Sequence, residues 1–107
     1  MWVFTRDGFF SAVQHFEQPD TILVRGRVQS DVEALCEIMN TELVENVEAD
    51  YRYRTIVSRQ AWSDYLQQAV RELDYPNFKN AMHGVFEDAG RDQALMDVWS
   101  AMQRLQP

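Results

Sequence analysis

The chain has 107 residues, a formal net charge of −7 and a single cysteine. That length supports one hydrophobic core and not two, and the acidic balance argues against general binding to duplex nucleic acid or anionic lipid, which needs a basic face. One cysteine, Cys36, excludes an intramolecular disulfide and any cysteine-rich zinc site.

Trp2 to Arg6 reads as a strand, Asp7-Gly8 as a tight hairpin turn and Phe9 to Gln14 as the return strand. Met1 to Asp7 has no basic start followed by an apolar run, so no secretory signal is read there. No stretch reaches the length of a membrane span, and a cytoplasmic protein is expected. Gln18-Pro19-Asp20 is a loop, and Thr21 to Arg27 a third strand. Ser30-Asp31-Val32-Glu33 has the form of a capping box, opening a helix with Val32, Leu35, Cys36 and Met39 on its apolar face and Asn40 at its end. Leu43 to Val47 is a weaker strand, followed by Tyr51 to Val57, the clearest strand in the chain. Ser58 suits the N-cap of a helix reaching about Leu73, with Trp62, Leu66, Ala69, Val70 and Leu73 as its buried stripe. Pro76 forbids simple continuation. A shorter helix then carries Phe78, Ala81, Met82, Val85 and Phe86 on one side. Gly90 breaks it, and a last helix places Leu95, Val98, Trp99, Met102 and Leu105 inward.

The order β-β-β-α-β-β-α-α-α predicts a single α+β domain over residues 1–107. Its antiparallel sheet has about five strands covered on one face by helices, with a ferredoxin-like arrangement available to the middle part.

Catalytic signals are weak. Cys36 lies on an apolar helix face, where a cysteine acts as a small hydrophobe. His83 and Glu87 are spaced to share a helix face but lack a third metal ligand. The four glycines are scattered and form no phosphate-cradling loop. With 17 acidic residues, closeness of two carboxylates in sequence carries no information. No catalytic residue, metal or cofactor is expected.

Binding signals are stronger. Side chains alternate along a strand, so Arg25 and Arg27 share a face, as do Arg52 and Arg54. If the two strands pair, these four form an anion-receptive patch, because guanidinium offers a bidentate contact to carboxylate or phosphate. Ion pairing to acids such as Glu42 or Glu45 would instead make it an ordinary sheet face. Lys79, the only lysine, sits in Tyr75-Pro76-Asn77-Phe78-Lys79, a helix corner that structurally needs Pro76 and Phe78. It is counted with the anion-binding candidates. Trp2 and Phe4 fall on one face of the first strand, and the adjacent Phe9 and Phe10 point to opposite faces of the second. Both sides of the hairpin are therefore apolar, so one must meet a helix, a second copy or a partner. An interface, or a homodimer, is expected at Trp2, Phe4, Phe9 and Phe10.

Trp2-Val3-Phe4-Thr5, Gly8 to Val13, Leu23-Val24-Arg25, Asp50 to Arg54, Asp74 to Lys79 and Val98 to Met102 occur in this order. The pattern resembles a family of small, mostly uncharacterised bacterial and phage proteins of about this length. The resemblance implies a small intracellular protein of that type and no transferable activity. The expected function is binding or regulation through a protein partner, which would include a phage-type inhibitor of a host system. The alternative is a module holding a nucleotide or phosphometabolite on the arginine face.

Overall fold

The computed structural model describes all 107 residues, Met1–Pro107. The elements are β1 (Trp2–Thr5), β2 (Gly8–Gln14), β3 (Thr21–Gly26), α1 (Gln29–Met39), β4 (Val44–Glu45), β5 (Tyr53–Ser58), α2 (Arg59–Arg71), α3 (Phe78–Met82) and α4 (Arg91–Gln103). This is the expected α+β order. The chain divides into two compact units, Met1–Glu72 and Leu73–Pro107.

In the first unit all five strands join one antiparallel sheet in the order β1-β2-β3-β5-β4. Strands β3 and β4, linked through α1, run parallel with β5 between them, a split β-α-β arrangement like that expected for the middle segment. Period-two alternation sorts the side chains. Phe10 and Ala12 on β2, Ile22 and Val24 on β3 and Val57 on β5 point to one face. There they meet Leu35 of α1 and Trp62 and Tyr65 of α2, forming the core, with Val3, Met39 and Leu66 at its margin. Rings of Phe10 and Trp62 meet edge-on at 6.3 Å.

The hairpin is shifted by one residue from the expected turn. Thr5 opposes Gly8, so the two-residue loop is Arg6-Asp7. Gly8 opens β2 at φ 143, and a Cβ there would fall inside the Asp31 carboxylate. Asp31 is buried and accepts the Phe9 N–H at 3.1 Å. The expected capping box does not form, because Ser30 lies inside the helix and not at its N-cap. Helix α1 starts at Gln29 with Val28 as an N-cap that makes no side-chain bond, and Glu33 accepts from Gln29 instead. Asn40 ends the helix in the left-handed region, as expected.

Ser58 caps α2, accepting the Ala61 N–H at 3.0 Å. Trp62 and Tyr65 are buried, but Val70 and Leu73 are exposed. Val70 stands at the margin of the inward stripe and Leu73 lies past the helix end. Tyr65 donates to Asp7 at 2.7 Å. Its single proton is then used, so the Thr5 hydroxyl, 2.7 Å away, donates to it. Burial holds the Tyr65 phenol well above its ordinary value, so the chain of bonds pinning α2 to the hairpin keeps its proton.

In the second unit Asn77 caps α3, accepting the Asn80 N–H at 3.0 Å. The helix corner therefore does use this residue. Arg91 makes a bidentate fork to Asp88 at 3.0 Å and lies 4.0 Å over the Phe86 ring. Met82 and Leu95 are buried. Trp99, expected in the core, is 49% exposed, and Val98, Met102, Leu105 and Val85 are exposed as well. Helical spacing identified an apolar stripe on α4 correctly; it did not establish that the fold covers it.

Candidate binding face of the sheet

Helices α1 and α2 pack on one side of the sheet and leave the other open. The strand register orders that open face into transverse rows. One row crosses all five strands: Trp2 opposes Ser11, Ser11 opposes Arg25, Arg25 opposes Arg54 and Arg54 opposes Val44. A neighbouring row is aliphatic, with Val13 opposite Leu23 and Leu23 opposite Ile56. On the other side lie aromatic rings. Phe4 stacks on Phe9 at 4.6 Å, and Phe9 lies 6.5 Å from Tyr51. Trp2 meets the Phe9 ring edge-on at 6.1 Å.

Tyr51 organises the cationic part. It is buried, with the Arg25 and Arg27 guanidiniums over its ring at 4.7 and 4.3 Å. Its carbonyl accepts from Arg54 Nη2 at 2.9 Å. Cation–π contact and a carbonyl thus hold three arginines around one residue. Arg25 also donates to Ser11 Oγ at 2.8 Å. Arg27 reaches the Asp50 carboxylate at 3.3 Å. Arg25 and Arg54 meet no carboxylate, and Arg54 Nε is buried without a hydrogen-bond partner.

The four-arginine ladder is therefore only partly assembled. Arg25 and Arg54 are direct cross-strand partners. Arg27 joins them through Tyr51. Arg52 does not: it bonds Glu45 at 2.7 Å and lies over Tyr53, the register partner of Glu45. The Glu45 hydrogen bond raises the Arg52 guanidinium above its ordinary value, so it stays charged in this pair. The reason is that β5 begins at Tyr53 and not at Tyr51. Strict alternation does not extend back through Arg52. Tyr51 turns to the arginines while Tyr53 takes the register of the opposite face. Lys79 lies in the second unit, 5.1 Å over the Trp99 ring, which gives it a structural partner.

Of the hairpin residues, Phe10 is fully buried in the core and presents no surface. Phe4 and Phe9 are half-buried, and Trp2 is 72% exposed. Sequence reasoning missed Tyr51 as the hub and the row Val13, Leu23, Ile56. The runs Ile22-Leu23-Val24 and Ile56-Val57 carried the signal, since consecutive aliphatics on paired strands place apolar side chains on both faces.

Other candidate chemistry is sparse. His83 pairs with Asp92 at 2.7 Å and not with Glu87. No three His, Cys, Asp or Glu side chains gather where they could hold a metal ion. A groove of 390 Å³ on α2 is lined by Ser63, Leu66, Gln67, Val70 and Arg71, with no acid–base pair. No helix is long and apolar enough to cross a membrane. No family model, curated protein or solved structure matches the chain.

Proposed function

We propose that the protein is a non-catalytic binding module that docks a protein partner on the open face of its sheet. The carrying observation is the side-by-side arrangement of a cationic row and an exposed aliphatic row on the face opposite the helices. Val13 is 37% exposed and Ile56 47%, with Leu23 half-buried between them, and Val44 at the end of the arginine row is 50% exposed. Scattered exposed aliphatics are ordinary, but a contiguous set beside two cross-strand arginines has the composition of an interface. The test is capture from a lysate of the source organism with the parent chain and with Val13→Asp/Ile56→Asp. A partner retained by the parent and lost by the variant supports the reading. Identical captured sets would sink it.

A second reading has one observation in its favour: Arg25 and Arg54 are direct cross-strand partners whose side-chain bonds go to Ser11 and the Tyr51 carbonyl and to no carboxylate. Those guanidiniums would hold a small anion such as a nucleotide or phosphometabolite. A thermal-shift screen against such compounds decides this: stabilisation of the parent that disappears in Arg25→Ala supports it, and an unchanged melting temperature throughout rejects it.

A further inference from the structure

We infer that the partner surface seated on this face presents a carboxylate set among aliphatic side chains. This rests on the open face being the docking surface, and it names the chemistry that face recognises. The row Ser11, Arg25, Arg54 runs between the Phe4–Phe9 stack and the aliphatic row Val13, Leu23, Ile56. Any occupant that covers the aliphatic row also covers the arginines.

Burying guanidinium charge under a purely apolar surface incurs a desolvation cost without a counter-ion. Arg25 uses Nε and Nη2 on Ser11, and Arg54 uses Nη2 on the Tyr51 carbonyl. Each guanidinium carries five N–H donors, and with Arg54 Nε itself buried it is the remaining Nη protons of both that an incoming acid would meet. Tyr51 fixes their positions beforehand, which lowers the ordering cost of a bidentate contact.

Two other occupants fit less well. A second copy docked about a two-fold axis centred on the face would bring Arg25, on the central strand, towards its own counterpart. Single-stranded nucleic acid would use the arginines and stack bases on exposed rings. Yet Phe9 is already stacked on Phe4 and flanked by Trp2, the aliphatic row offers no ring, and the net charge of −7 repels a polyanion.

The test pans a library of short random peptides against the full chain. Enriched peptides are then titrated by fluorescence anisotropy against the parent, Val13→Asp/Ile56→Asp and Arg25→Ala/Arg54→Ala. Enriched sequences should carry Asp or Glu next to Leu, Ile or Val. Their affinity should fall about tenfold or more in the arginine variant, as loss of charge-assisted bonds predicts, and further with the aspartates. Binding should also weaken with salt. Arg25→Lys/Arg54→Lys, which keeps charge and loses the fork, serves if the alanine variant unfolds; it should retain part of the affinity. Binders indifferent to Val13→Asp/Ile56→Asp would overturn the placement of the site itself. Binders lost with the aspartates but lacking acidic residues, or unaffected by either arginine variant, would overturn only the carboxylate. Failure to enrich any face-dependent peptide counts against both. Arginine-dependent binding of fluorescent oligothymidine tighter than that of the peptides would assign the face to single-stranded nucleic acid. A light-scattering mass of two chains, reverting to one in Val13→Asp/Ile56→Asp, would assign it to a second copy.

Discussion

Tyr51 shows how one side chain can set the properties of a surface it barely reaches. It is 5% exposed, yet three guanidiniums take their positions from its ring and carbonyl. Tyr51→Ala should cost about 3–5 kcal/mol, as large aromatic truncations do, whereas Tyr51→Phe keeps the ring and should stay within about 1 kcal/mol of the parent. Urea denaturation distinguishes these; equal losses would show that the ring is not the organising element. Gly8 is the second sensitive residue. At φ 143 and against Asp31, Gly8→Ala combines backbone strain with overpacking, each of about 1–3 kcal/mol, and should cost about 2–6 kcal/mol. The tryptophans provide a third comparison. Trp62→Ala removes a buried ring and should cost about 3–5 kcal/mol. Trp99→Ala removes a half-exposed ring under Lys79 and should cost about 1 kcal/mol. Matching denaturation midpoints for the two would contradict the burial pattern. Local alternation was enough to send Phe9 and Phe10 to opposite faces. It could not place Arg52, because that depends on where β5 starts, and the tertiary packing of Tyr51 decides that.

At the scale of elements, the cap of α2 was legible and that of α1 was not, and the contrast has a physical cause. Ser58 has no competing task, so its hydroxyl takes the Ala61 N–H. Ser58→Ala should cost about 1 kcal/mol, read from the denaturation midpoint, and no change would remove the cap from the energetics. In α1 the helix starts at Gln29, so Ser30 lies inside it, Val28 takes the cap position without a side-chain bond, and Glu33 accepts from Gln29. Local pattern also falls short at α4: an amphipathic period reports a preference for burial, and Trp99 shows that the fold leaves it half unmet. The Asp88–Arg91 fork carries a pH dependence. Hydrogen bonding to Arg91 holds the Asp88 carboxyl below its ordinary value. A depressed carboxyl contributes stability that is full above its unfolded value and is lost as pH falls through its folded value. Acidification below the usual carboxylate range should therefore weaken the second unit, and Asp88→Asn should lack that component. Superimposable acid-denaturation curves would rule the contribution out.

For the molecule as a whole, the sheet has two faces with different fates. One is closed by α1 and α2 around Phe10, Val24, Leu35 and Trp62. The other is ordered into rows by register and left with exposed aliphatics beside Arg25 and Arg54. The α+β order and the five-stranded sheet could be read from hydrophobic alternation and turn residues. The open face could be read only in part, since Arg-x-Arg spacing identifies a strand face but not which arginines an acid neutralises. The open face as the working surface is tested most directly by amide chemical-shift mapping of the parent chain with a captured partner or an enriched peptide. The expected result is perturbation concentrated at Ser11, Val13, Leu23, Arg25, Arg54 and Ile56, with the outward side of α1 unchanged. Perturbations confined to α1 and α2, with those six residues still, would contradict it.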